Sequence, residues 1–128
     1  MSIALWCVLV AGLLPILTTG LAKWGAPYDN ARPRESIEVL AGWRKRAYMA
    51  HLNGWEAFPL FAAAVLVATI QGKSGVAIDL LAFSWIFTRV LYVACYVGNW
   101  PTLRSLVWTV ALALAIAIFT APAWLSVN

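Results

Sequence analysis

Charged side chains are scarce in this chain: nine Lys and Arg and five Asp and Glu among 128 residues, 11% in all. Soluble domains carry about 25%, so a water-facing surface of the usual kind is excluded. Histidine occurs once and cysteine twice, and neither falls at a spacing suited to a metal ion, so no metal is expected. A glycine-rich phosphate loop, an internal repeat and a low-complexity tract are all missing from the sequence, which leaves nucleotide-binding loops and solenoids without support. Cys7 and Cys95 lie in different apolar runs, expected toward opposite membrane faces. A disulfide between them is therefore not expected, and each reads as a small packing residue.

What the chain has in abundance is apolar length. Hydrophobic residues make up 63% of it, and its mean hydropathy is +0.82. A bilayer core about 30 Å thick takes roughly 20 mostly apolar residues per spanning helix. The sequence offers that length from Ile3 to Leu21, Leu52 to Ile70, Val76 to Val97 and Leu103 to Leu125. The expectation is an all-α membrane protein, a four-transmembrane-helix bundle forming one domain over residues 1–128. The first run has no Lys or Arg before it, the first basic residue being Lys23, so it reads as a retained helix and not a secretory leader. Pro15 inside it predicts a bend, which membrane helices tolerate when neighbours satisfy the freed backbone.

Basic residues orient the bundle. Lys23, Arg32, Arg34, Arg44, Lys45, Arg46 and Arg104 fringe the side holding the first and third connections, while Lys73 stands alone on the other. The positive-inside rule then puts both termini away from the cytoplasm. The net charge of +4 is thus an orientation signal. Since the cations fringe membrane spans, no nucleic-acid partner is expected. Of eight tryptophans, Trp24, Trp43 and Trp100 fall near one interface and Trp6 and Trp124 near the other, as anchoring indoles do. Trp55, Trp85 and Trp108 lie deeper and read as packing residues. The first connection is loop-like from Gly25 to Pro33, after which helix formers resume. Helix two is expected to begin near Glu35 and to enter the membrane near Ala50.

A charge within a span costs about 2.5 to 3.5 kcal/mol on insertion scales and so marks a functional hypothesis. Arg46, Asn53 and Glu56 stand at intervals of seven and three on one face of helix two. His51, further round that helix, is read as close enough to reach a headgroup or the edge of a site. On helix three, Arg89, Tyr92 and Tyr96 share a face, and Arg104 opens helix four. Arg89 lies roughly 12 Å deep and Glu56 roughly 9 Å, at 1.5 Å per residue, so a Glu56–Arg89 pair is expected. Such a pair could serve only to neutralise two charges. Together these residues form a basic polar cleft with one carboxylate, one amide and two phenols. It suits a small ligand carrying both an amine and carboxylates, beside helix gaps that admit an apolar substrate from the bilayer.

At these residues the sequence resembles the MAPEG family, the membrane-associated proteins of eicosanoid and glutathione metabolism. The stretch Arg46-Ala47-Tyr48-Met49-Ala50-His51-Leu52-Asn53-Gly54-Trp55-Glu56-Ala57-Phe58-Pro59 is similar to the family's helix-two signature. Arg89-Val90-Leu91-Tyr92-Val93-Ala94-Cys95-Tyr96, followed by Arg104, is similar to its helix-three motif and the arginine that begins helix four. The resemblance implies a homotrimer like the microsomal glutathione transferases, binding glutathione between subunits as co-substrate. Arg104 would be catalytic, stabilising the thiolate. Asn53, Glu56, Tyr92 and Tyr96 would bind glutathione, with Arg46, His51 and Arg89 as further contacts. The thiolate would attack a lipophilic electrophile or reduce a hydroperoxide. One departure is Met49, where strongly active relatives often have a second arginine. A non-catalytic lipid- or partner-binding member is the alternative, and a small transporter with a Glu56–Arg89 relay is another.

Overall fold

A computed structural model describes residues 1–125 of the chain, and every described element of regular structure is helical. Ser126 to Asn128, included in the single domain expected over 1–128, lie outside the described residues. Helices α1 (Ile3–Lys23), α3 (Gly42–Ile70), α4 (Val76–Val97) and α5 (Pro101–Trp124) are each long and apolar enough to cross a membrane. Each overlies one of the four apolar runs, whose length bilayer thickness sets, but α3 begins at Gly42, well before its run starts at Leu52. This is an integral membrane protein of the four-helix type.

The entry to α3 differs from the sequence expectation. A short helix α2 (Pro33–Glu38) forms where a continuous helix from Glu35 is expected, and the chain breaks before α3 restarts at Gly42. Ala41 is extended at φ −133° and ψ 167°, and Gly42 takes φ +58°. That left-handed geometry is open to glycine at low cost and strained for other residues. Helix propensity on either side of Gly42 could not reveal it.

The helices alternate in direction, and specific bonds tie their ends. Asp79 Oδ1, in the first turn of α4, accepts from the Ala4 amide at 2.8 Å, while Ser2 Oγ accepts from Leu5 N at 3.4 Å. Both satisfy orphan donors at the α1 N-terminus. At the opposite end, Arg44 Nε and Nη2 donate to the Trp24 carbonyl, and Arg46 Nε and Nη2 donate to the Val97 carbonyl, which lies at the C-terminus of α4. Guanidinium groups there meet the negative ends of α1 and α4.

Small residues let the helices approach closely. Ala4 and Ala11 of α1, Ala64 and Ala68 of α3, Ala82 of α4, and Ala111, Ala115 and Ala121 of α5 are buried in one cluster. In hydrocarbon, close van der Waals packing is a main source of helix association. Gly54 is the tightest case: a Cβ there would sit 2.8 Å from Pro15 Cγ. The Phe61 and Trp85 rings stack at 3.9 Å and 6° in the interior. Trp85 is the packing residue expected, but Trp55 and Trp108 face outward, 41% and 43% exposed. Depth along a span says nothing about which way a side chain faces. Cys7 and Cys95 are both free and buried, in separate clusters.

Candidate functional site

The polar faces of α3 and α4 meet through an amide. Arg89 is 2% exposed, and its Nη2 donates to Asn53 Oδ1 at 2.8 Å. Asn53 Nδ2 in turn donates to Glu56 Oε2 at 3.0 Å. The direct Glu56–Arg89 pair expected from depth is therefore not formed. Asn53 stands between them, its carbonyl facing the cation and its NH₂ facing the carboxylate, each half meeting the charge it suits. The one salt bridge among the described residues is Arg32–Glu35, at 3.5 Å on the surface.

From Arg89 a ladder of cations and rings leads along α4 toward the start of α5. Arg89 Cζ lies 4.3 Å from the Tyr92 ring centroid and 5.9 Å from that of Trp85. Tyr92 meets Tyr96 edge-on, with centroids 5.7 Å apart and planes at 73°. Arg104 Cζ lies 4.4 Å from the centre of the Tyr96 ring. Each guanidinium meets the negative face of a ring, a contact worth about 0.5 to 2 kcal/mol, more when desolvated. The spacing of three and four residues on α4 produces this stacking, because such residues lie above one another on a helix. Buried Nη1 of Arg89 has no hydrogen-bond partner among the described residues.

Two clefts flank the ladder. The more polar one has a volume of about 450 Å³ and is walled by Tyr92, Tyr96, Arg104, Ser105, Trp108 and Thr109. Neither phenol hydroxyl makes a hydrogen bond within the described residues, whereas Ser105 Oγ and Thr109 Oγ1 each bond a backbone carbonyl of their own helix, at 3.1 and 3.0 Å. The smaller cleft, about 170 Å³ between α3, α4 and α5, has Asn53, Glu56 and Arg89 at its polar part and Leu60, Trp85 and Leu112 among its apolar walls. Trp108 borders both. Trp108, Ser105 and Thr109 were not among the candidates from sequence. The signal for Trp108 was present: it follows Arg104 by four residues and shares its helix face.

The expected site residues separate into two groups. Asn53, Glu56, Arg89, Tyr92, Tyr96 and Arg104 line or adjoin the two clefts. His51 and Arg46 are engaged elsewhere. His51 Nδ1 lies 2.7 Å from the Pro15 carbonyl of α1, with its ring near Tyr48 and Trp55. Five residues separate His51 from Glu56, about 140° round the helix at 100° per residue, which turns it to α1. Arg46 is held at the α4 terminus by the two bonds to Val97. Glu56 is exposed on the surface of the single chain although it lies within a span.

A profile of the MAPEG family matches residues 3–124, spanning all four long helices and both clefts. The chain belongs to the MAPEG family. Comparison with curated proteins and with solved structures finds no match. The family is one of membrane helical bundles whose members commonly use glutathione. It includes glutathione-dependent transferases and peroxidases, and also members that are not enzymes.

Proposed function

We propose that this MAPEG chain is a glutathione-dependent membrane transferase or peroxidase. The observation that carries the reading is the polar cleft of about 450 Å³, in which the Arg104 guanidinium and two unpartnered phenols share one wall. Arg104 stabilises the glutathione thiolate. A free thiol titrates near 8.5, so about 3% is ionised at pH 7. A depression of two units, about 2.7 kcal/mol, raises that to roughly 75%. Tyr92 and Tyr96 donate hydrogen bonds to the ligand, and Glu56 and Asn53 take its ammonium and amide groups. Arg89 orients Asn53 from behind. Arg46 and His51 hold α4 and α1 through their carbonyl contacts and support the site at one remove.

The thiolate forms a thioether with an electrophilic carbon that reaches it from the bilayer, displacing a leaving group or adding to an activated double bond. With a hydroperoxide, thiolate attack on the outer oxygen breaks the O–O bond, releasing the alcohol after protonation and leaving a sulfenic acid. A second glutathione thiol then displaces water from it to form the disulfide, completing the two-electron reduction. A homotrimer fits the exposure of Glu56: a carboxylate costs about 2.5 to 3.5 kcal/mol in a span, and a neighbouring copy shields it from lipid. Both termini lie away from the cytoplasm, by the basic connections.

Titration calorimetry with glutathione, together with thiolate absorbance near 240 nm, tests the assignment. Glutathione binding that weakens at least tenfold in Glu56→Ala, and a thiolate band that disappears in Arg104→Ala, are expected. Absence of binding at millimolar glutathione refutes the enzyme reading and favours a non-catalytic lipid- or partner-binding member. Met49, in place of the arginine often found in active relatives, is the feature that would explain that outcome.

A further inference from the structure

On the α1–α4 face the bundle leaves a groove of about 560 Å³ unrelated to the two clefts above. Leu14, Leu17 and Leu21 form one wall, and Val90, Val93 and Val97 the other. Its one polar side chain, Thr18, donates its hydroxyl to the Leu14 carbonyl at 2.8 Å, so the groove offers a ligand no free side-chain donor. Only an apolar occupant suits it.

Length and charge narrow the occupant. From Leu14 to Leu21 the wall runs roughly 10 Å, and from Val90 to Gly98 roughly 12 Å, at 1.5 Å per residue. One leaflet of a bilayer core is about 15 Å deep, so the groove spans most of a single leaflet and ends at the side of the basic connections. At that end Arg46 is fixed to the carbonyl of Val97, itself a groove residue. Those bonds use Nε and Nη2. Nη1 has no partner among the described residues and is not fully buried. Lys23 follows Leu21 by two residues, and Arg44 and Lys45 precede Arg46, with no Asp or Glu in either stretch.

We propose that the α1–α4 groove seats one acyl chain of an anionic phospholipid from the leaflet on the basic side, with the Arg46 guanidinium holding the headgroup phosphate. The tail fills the space that valines and leucines leave between α1 and α4. The same guanidinium bridges the phosphate to the carboxyl end of α4. A zwitterionic lipid carries the same tail, but its ammonium meets Arg46 and Lys23 as a like charge. Each basic residue near a membrane surface contributes about 1 kcal/mol toward an anionic lipid, or about fivefold in affinity.

Native mass spectrometry of the purified protein, after equilibration with phosphatidylglycerol or phosphatidylcholine of identical chains, tests the proposal. Retention of one phosphatidylglycerol per chain, in at least fivefold preference to phosphatidylcholine, is expected. Ala94→Trp fills the groove from its exposed rim and should abolish that retention, with helix content by circular dichroism unchanged. Arg46→Gln should lower the preference about fivefold while tail binding persists. Glycerol phosphate, a headgroup without a tail, should not displace the lipid at millimolar concentration. On the unaltered protein, a phosphatidylglycerol with a diazirine in its tail should label Val90, Val93 or Leu17. Equal retention of the two lipids, retention undiminished in Ala94→Trp, or label spread evenly over the outer surface overturns the assignment. So does a drop in oligomeric mass on Ala94→Trp, which would make a second copy the occupant.

Discussion

Removing the amide that separates Arg89 from Glu56 probes the interior of the bundle most directly. In Asn53→Leu the guanidinium, 2% exposed, loses its 2.8 Å acceptor, and its Nη1 is already without a hydrogen bond among the described residues. A hydrogen bond to a charged group contributes about 1.5 to 3 kcal/mol, and stranding a buried charge costs more than the bond alone. Stacking on Tyr92 remains and offsets part of the loss. The expected destabilisation is about 2 to 3 kcal/mol, measured by reversible SDS unfolding of the purified protein. The double variant Asn53→Leu/Arg89→Leu removes donor and acceptor together, and replacing both partners by apolar groups is close to neutral. It should be more stable than Asn53→Leu alone, with a coupling energy of at least about 1 kcal/mol. Additive costs, with coupling under about 0.5 kcal/mol, would refute the reasoning, since residues without shared partners add to within that margin.

Gly54→Ala places a methyl 2.8 Å from Pro15 Cγ and should cost about 1 to 3 kcal/mol by the overpacking of a close contact. Pro15→Ala in the same chain should recover part of it, as read by the same unfolding titration. Asp79→Ala withdraws the acceptor of the Ala4 amide and should cost about 0.5 to 2 kcal/mol; hydrogen exchange at Ala4 should accelerate while the α3 amides stay protected. Gly42→Ala meets φ +58° and should cost about 1 kcal/mol. The strain should appear as faster proteolysis between α2 and α3, with the spans unaffected.

How far the sequence reached can be seen by comparing Asn53 with His51. Apolar runs of bilayer length located the four spans, because every unsatisfied backbone group in hydrocarbon is costly and only whole helices avoid that cost. Helical periodicity placed Asn53 with Glu56, and Arg89 with Tyr92 and Tyr96, on common faces, since 3.6 residues per turn is a property of the chain alone. The same periodicity also sets His51 on a different side of its helix, about 140° from Glu56 at 100° per residue.

What the spacing of one helix cannot supply is its rotation and height against its neighbours. Packing of Pro15 on Gly54 and of Phe61 on Trp85 sets those quantities. They decide that Asn53 stands between Arg89 and Glu56, that His51 meets the Pro15 carbonyl, and that Arg46 meets that of Val97. They also decide that Trp85 is enclosed while Trp108 borders both clefts. The break at Gly42 belongs with them, because a left-handed φ outside the membrane is permitted by glycine but chosen by the way α2 and α3 must connect. The sequence by itself determined the solvent, the number of spans and the chemical groups each helix brings. Only the tertiary structure decided which groups meet, because contacts between helices depend on side-chain packing, a property of pairs of surfaces and not of any one segment.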